Sequence, residues 1–498
     1  MQIIYSTYMI LPSLENFKKL SKQGNLIPIY KKIKINEENP SLLLKKIQEE
    51  ENIYLLESYE GPKKWSRYSF MGFNPKYIFS SFKNKIKISG INKSKQITGC
   101  PFDELKKIIK KYKPVQLKTL PRFYGGFVGF FSYEIISQIE KIPRSKKDDI
   151  KFPDCNFMFS DSLIIFDNLK KNAKVVVNVE INKKSDLNKV YSKAIKKIEQ
   201  IESKLNKKAE ICTLNKYNSN RNEIKSNFES LDFERNVKKI KDYVLRGDVI
   251  QTVISQRWKT KYKHSPIDLY FSLRKLNPSP YMFFIKNKDT YIIGASPEVL
   301  VRVENNIVET RPIAGTRPRG KTMKEDKKLE LELLSDPKEK AEHIMLVDLS
   351  RNDISKVCNT GTVKVTDFMT IERYSHVMHI VSNVKGKLNN KYNSIDVFKA
   401  CFPAGTLSGA PKIRAMQIIN ELEPNRRGPY GGSVGYIGFS GNMDMSITIR
   451  SFYMNKDNLY FQAGAGIVAD SKPKMELKET INKSGAMLKA IKDTYGKK

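Results

Sequence analysis

The chain reads as an α+β protein in which large antiparallel β-sheets are flanked by helices. Three stretches support that reading. Residues 249–258 alternate as a strand, with Ile250, Ile254 and Trp258 on one face and Gln251, Val253 and Ser255 on the other. Just upstream, Asp232 can cap a helix whose Val237, Ile240 and Val244 recur at helical spacing and which Gly247 ends. Further on, Ser440-Gly441-Asn442 marks a hairpin turn between strands at 434–439 and 445–452. Strands joined by such short turns pair antiparallel, and interspersed amphipathic helices can cover the resulting sheets.

The 498 residues, with a hydrophobic content of 40%, suffice for a large core in one intertwined unit or two domains. The opening residues lack the pattern of a secretory signal, and no apolar run approaches the ~20 residues of a membrane helix. A cytoplasmic protein with no membrane partner is expected. Cys100, Cys155, Cys212, Cys358 and Cys401 are scattered and form no CxxC, which fits reduced thiols and argues against zinc. Lys and Arg number 89 against 53 Asp and Glu, a formal charge of +36. The lysines are spread along the chain, without an RNP-like motif, zinc finger or basic zipper, so no nucleic-acid partner is expected. A positive field suits an anionic small-molecule substrate.

Around residues 195–228 the sequence turns polar and loses its apolar anchors. This divides the chain into an N-terminal region of residues 1–215, a linker of 216–228 and a C-terminal catalytic region of 229–498. No internal repeat is evident.

Two ExxE pairs stand out. Glu339 and Glu342 fall on a helix opened by Ser335-Asp336-Pro337, and Glu476 and Glu479 on a helix after Pro473. Residues three apart share a helix face, where like charges cost about 0.2–0.5 kcal/mol unless neutralised. A solvated face accounts for one such pair; two pairs equally suit a hard divalent cation such as Mg²⁺, which takes oxygen ligands and keeps several waters. Thr406 lies in a glycine-flanked loop before a helix that Pro411 could start, and Gly464-Ala465-Gly466 is a second glycine-flanked loop. Such loops present backbone N–H groups to anions, although GxxxxGK[ST] is absent. Glu298 follows an apolar strand, His379 lies in the alternating stretch 377–381 where a core role is equally open, and Arg450 ends a strand where it could fork onto a carboxylate.

Taken in order, TRPIAGTR from Thr310, KEKAEH from Lys338, FPAGTLSGAPK from Phe402, GAGIV from Gly464 and ELKET from Glu476 resemble the chorismate-utilising enzymes, most closely the anthranilate synthase large-component family. The resemblance is dense from about residue 232 to 488. It implies two stacked antiparallel sheets with helices outside and a cleft holding the active site. It also implies a Mg²⁺-dependent lyase that aminates chorismate at C2 with ammonia and eliminates pyruvate to give anthranilate, the first step of tryptophan biosynthesis.

The resemblance implies roles for individual residues. Glu342 and Glu479 bind the metal, with Glu339 and Glu476 holding its waters. Glu298 protonates the departing C4 hydroxyl, a poor leaving group that needs a general acid. Gln251 replaces the lysine that activates water in isochorismate-forming relatives, and a glutamine can orient ammonia. Ala314 replaces the lysine that aminodeoxychorismate-forming relatives can use as a nucleophile. His379 serves pyruvate elimination, whereas His343 and His376 resemble structural neighbours. Tyr430 and Arg450 hold the enolpyruvyl carboxylate. Thr406, Thr310, Gly315, Thr316, Gly464, Ala465 and Gly466 complete the substrate site. Leu55-Leu56-Glu57-Ser58 and the segment from Asn277 to Met282 resemble the walls of a tryptophan feedback pocket formed by Ser58, Pro280, Tyr281 and Met282. No cysteine sits in a nucleophile turn, so glutamine use calls for a separate glutamine amidotransferase subunit (component II); the resemblance implies a heterotetramer of two such pairs.

Overall fold

The computed structural model describes residues 9–34, 39–58, 67–90, 94–143, 146–207, 223–374 and 377–495. Among them, the strands form two antiparallel sheets of thirteen and twelve strands, with helices packed against them. Of the linker at 216–228, residues 216–222 lie outside the described ones, as does Cys212. The other four cysteines are free thiols. No described helix is long and apolar enough to cross a membrane.

The strand order reveals a repeat that the sequence does not show. In the first sheet, Asn52–Glu57 pairs antiparallel with Tyr281–Asn287. Outward from this join, one side runs Tyr68–Phe73, Ser162–Asp167, Asn172–Glu180, Leu26–Ile33. The other runs Thr290–Ser296, Ser451–Asn455, Asn458–Ile467, Gln251–Lys261. In the second sheet Gly126–Phe131 pairs antiparallel with Ser433–Gly438, and the three strands outward from each again match in connectivity. The chain is therefore two topologically equivalent halves joined edge to edge in both sheets. A strand needs only alternation and pairing partners, not particular residues, so the repeat survives without a readable sequence period.

In the second half the chain changes sheet across Pro297-Glu298 and returns across Thr448–Arg450. The crossings lie side by side. The Ile447 N–H donates to the Glu298 carbonyl (3.0 Å) and the Ala295 N–H to the Arg450 carbonyl (3.1 Å). Arg450 adopts φ 51°, a left-handed conformation that no strand continues through. The strand expected at 445–452 is consequently two, Met443–Ile447 and Ser451–Asn455, in different sheets.

Two other expectations shift. The helix near Asp232 is Ser230–Leu245, with Asp232 in its first turn facing the positive end of the helix dipole, and Gly247 follows its end at φ 80°. The strand expected at 249–258 is Gln251–Lys261, and Ile250 stands before it, exposed. Between the sheets lies an aromatic core in which Phe131 packs on Phe157 (centroids 4.7 Å) and on Phe398 (4.3 Å). These rings tie an N-terminal strand to a C-terminal helix.

Because both sheets run unbroken through the joins, residues 1–207 and 223–498 produced as separate chains should each expose strand edges and aggregate. Produced together, they should co-elute as one particle by size exclusion. A half that alone is monomeric and melts cooperatively would contradict this.

Candidate functional site

Glu298 sits at the first crossing, between Ser296, which ends a strand of one sheet, and Val299, which begins a strand of the other. Thr406, in the 3-10 turn Gly405–Leu407, donates its hydroxyl to Glu298 Oε1 at 3.0 Å. Part of Glu298 faces the cleft; the carboxyl is otherwise enclosed. Burial pushes its pKa up to about 8, against the lowering effects of the Thr406 hydrogen bond and the Lys483 charge. At neutral pH it holds a proton to give, as a general acid must. The cavity that it lines with Thr310, Arg311 and Thr406 also contains the Thr310 hydroxyl, buried and without a partner among the described residues.

His379 is aimed by a bulge. Ile313–Pro318 pairs with Val377–Lys387, and the register shifts between Ala314 and Thr316. Gly315 forms the bulge at φ 67°, a conformation that favours glycine. Its carbonyl lies 2.9 Å from His379 Nδ1, with Thr316 Oγ1 3.1 Å away. A carbonyl only accepts, so Nδ1 bears the proton and Nε2 is the free lone pair of the neutral ring. Burial lowers the His379 pKa, and the Arg450 charge acts in the same direction.

Gly464, Ala465 and Gly466 form no loop. They lie inside the strand Asn458–Ile467, their backbone paired with Gln251–Lys261. What glycine supplies there is room. A Cβ at position 466 would lie 2.3 Å from Gln251 Nε2, and one at 464 would lie 2.8 Å from the Tyr430 hydroxyl. Gln251 in turn donates to Glu342 Oε1 at 3.3 Å. Lys483 donates to the Gly464 carbonyl (3.1 Å), and Arg450 donates to the Lys483 carbonyl. Burial lowers the Arg450 pKa, opposed by Tyr430 and Glu479. Arg450 is thus a half-buried cation, suited to a carboxylate.

The acidic pairs occupy the first two turns of Pro337–Ser355 and Pro473–Tyr495, with Glu339 and Glu476 in the first. Burial raises the Glu339 pKa, and Glu342 adds to it. Burial also raises that of Glu476, with Glu479 adding and Lys338 opposing, so the two helix starts sense one another. As placed, some carboxylates meet nearby cations: Glu339 pairs with Arg317 (3.3 Å) and Glu479 with Lys483 (2.5 Å). Among the described residues, no three acidic, His or Cys groups gather as a cage for a metal ion.

The Ser58 hydroxyl donates to the Pro280 carbonyl at 2.7 Å, bringing together two segments 222 positions apart. Ser58, Pro280 and Tyr281 line a small pocket with Pro297, Arg302 and Arg311. Met282 is buried in the sheet beside it, paired with Glu57. Arg311 and Val299 line both this pocket and the Glu298 cavity. His343 bonds Ser382 Oγ at 2.6 Å and burial lowers its pKa to about 4, which suits a structural role; His376 lies outside the described residues. Sequence reasoning missed Lys483 and Arg427. The i,i+4 spacings of Glu479 with Lys483 and of Glu423 with Arg427 were the available signals.

Glu298 yields a stability test. A glutamate carboxyl ordinarily titrates near 4.5, and in the fold this one titrates at about 8, so the folded chain binds the proton more tightly than the unfolded one. That contribution is full below the unfolded value and is lost as pH rises through 8. Glu298→Gln, which cannot ionise, should melt a few degrees above the unaltered chain at pH 9 and close to it at pH 5. Calorimetry showing no pH-dependent gap would contradict the buried acid.

Comparison with known proteins adds the following. The model of the chorismate binding enzyme family matches residues 53–489. Anthranilate synthase component 1 of Acetivibrio thermocellus is 47% identical over 97% of this chain and 99% of its own length. That of Aquifex aeolicus (strain VF5) is 47% identical over 96% and 97%. The crystal structure of anthranilate synthase component I from Streptococcus pneumoniae TIGR4 superposes with TM-score 0.76 at 38% identity, covering 86% of this chain and 93% of that one. The menaquinone-specific isochorismate synthase of Escherichia coli shares the fold (TM-score 0.71) at 16% identity, covering 96% and 99%.

Proposed function

We infer the function of this chain from its family: it belongs to the chorismate-binding enzymes, among relatives named anthranilate synthase component 1. The activity is that of a lyase forming anthranilate from chorismate, in the first step of tryptophan biosynthesis. The observation that best supports the reading within the site is the enclosed Glu298 carboxyl, protonated at neutral pH and held by Thr406.

In the mechanism we propose, the side-chain amide of Gln251 orients ammonia toward C2 of chorismate. As the C2–N bond forms, Glu298 gives its proton to the C4 oxygen, which leaves as water. The Thr310 hydroxyl, Gly315 and Thr316 help to seat the ring. Tyr430 and Arg450 hold the enolpyruvyl carboxylate, and the strand Gly464–Gly466 with Lys483 closes the wall beside it. His379, with Nε2 free, moves a proton as pyruvate is eliminated and the ring becomes aromatic. Ala314 offers no nucleophile, which suits direct amination.

Mg²⁺ is the proposed cofactor, held directly by Glu342 and Glu479 and through water by Glu339 and Glu476. The donor set fits: four carboxylates provide hard oxygens, and the raised pKa values of Glu339 and Glu476 reflect burial plus like-charge neighbours that a cation would relieve. When bound, the ion supplies charge neutralisation for a ring carboxylate of the substrate. Ammonia would come from a glutamine amidotransferase subunit, in a heterotetramer of two pairs. Tryptophan would bind at Ser58, Pro280, Tyr281 and Met282 and weaken chorismate binding, with reciprocal weakening of its own binding by chorismate.

The purified chain with chorismate, ammonium and Mg²⁺ at pH 8 should generate anthranilate fluorescence, lost with EDTA and reduced by tryptophan. Chorismate left intact even with a glutaminase subunit present would overturn the reading. Glu339→Gln and Glu476→Gln should each cost about 10–100-fold in activity or metal affinity, as losses of water-holding groups do, and Glu342→Gln and Glu479→Gln more. His379→Met should let the aminated intermediate accumulate, detectable by chromatography; unchanged anthranilate formation would remove His379 from the elimination step.

A further inference from the structure

One buried guanidinium links three segments that carry site residues. Arg427 has 2% of its side chain exposed and follows the helix Lys412–Leu422. Its Nε and one terminal nitrogen bind Glu423 at 2.9 and 2.7 Å. Its other terminal nitrogen donates to the Leu407 carbonyl at 2.6 Å, beside Thr406. The nitrogen on Glu423 Oε1 also donates to the Val253 carbonyl at 2.8 Å, two residues along the strand from Gln251. The guanidinium carbon lies 4.7 Å from the Tyr133 ring centroid and 5.6 Å from that of Tyr430. Glu423 Oε1 also accepts from the Ser255 N–H (2.9 Å) and hydroxyl (2.7 Å), and Ser255 Oγ accepts from Gln462, two residues before Gly464. The Arg427 N–H itself is held by Glu134 at 2.8 Å.

We propose that Arg427, through its ion pair with Glu423, is the positioning residue that fixes the Thr406 turn, the Gln251 strand and Tyr430 relative to one another. It touches no reacting atom. A charged group removed from water so completely is retained only when its hydrogen bonds are satisfied. Here those bonds go to the backbone carbonyls of Leu407, next to Thr406, and of Val253, on the Gln251 strand, so its geometry sets theirs. A planar fork with five donors can span several acceptors at fixed angles, whereas an ammonium cannot. The proposal rests on the chorismate amination read above for this site.

Arg427→Lys keeps the positive charge beside Glu423 but cannot hold both carbonyls. The variant should fold, with an unaltered far-UV circular dichroism spectrum. Its kcat should fall about ten- to a hundredfold, as misplacement of reacting groups does, and its chorismate KM should rise through Tyr430. The groups facing the Glu298 carboxyl are the Thr406 hydroxyl and the Lys483 ammonium, and both lower its pKa. Slackening of Thr406 should therefore move the alkaline limb of the kcat profile upward in pH, which plain destabilisation would not do. If Arg427→Lys does not fold, Glu423→Gln loosens the same guanidinium and should give the same displacement at smaller size. A folded variant with unaltered kcat, KM and pH profile, or one changed only in melting temperature, overturns the proposal. If the unaltered chain makes no anthranilate, the parent reading fails. Calorimetric chorismate binding then decides the positioning role alone: weaker binding by Arg427→Lys supports it and equal binding overturns it.

Discussion

The site depends on the two places where the second half of the chain passes between its sheets. A strand fills its surroundings with alternating side chains and paired amides; a crossing does neither. At Pro297-Glu298 the carboxyl is left enclosed between layers, and at Thr448–Arg450 the left-handed Arg450 ends one strand so that the next can enter the other sheet. Two hydrogen bonds clamp these crossings together, so the acid and the guanidinium are placed by the same backbone bonds that hold the fold. The first half has equivalent crossings, at residues 74–76 and at Asp161, where the Lys76 N–H bonds the Phe159 carbonyl. There Lys76 stands near the place of Glu298 and pairs at the surface with Glu180 (2.6 Å). Topology supplies the niche twice; the residues put an acid in only one.

Electrostatics within the cleft follows from how much protein encloses each group. Glu298 keeps its proton because its neighbours, a hydroxyl and one lysine, do not offset burial. Glu423, deeper still, is matched with Arg427 and a serine hydroxyl. The acidic helix turns stand between these cases, partly buried and paired with Arg317 and Lys483. Such pairs, with some water still present, hold these carboxylates only weakly.

The pocket at Ser58 and the cavity at Glu298 share Arg311 and Val299 as a wall. Ser58 comes from the first half of the chain, and Pro280 and Tyr281 come from the second, meeting where Asn52–Glu57 pairs with Tyr281–Asn287. A ligand there would act on the join between halves and on the strand that leads into Glu298.

Much was legible from sequence because it is local. The capped helix at Asp336-Pro337, the helix from Pro473, the alternating strand at Gln251 and the ExxE pairs depend on residues a few positions apart. Motif order was enough to identify the family. What sequence could not determine is set by contacts across hundreds of positions. Nothing local distinguishes Gly464–Gly466 as a strand from the same glycines as a loop, since pairing with Ile254 decides it. The break at Arg450 is a choice between sheets, made by which partner strand lies beside it. The doubled topology is invisible because period-two hydrophobicity is common to any strand. The raised pKa of Glu298 and the role inferred for Arg427 arise only once distant segments exclude water around them, because a charge's energy depends on what surrounds it in space.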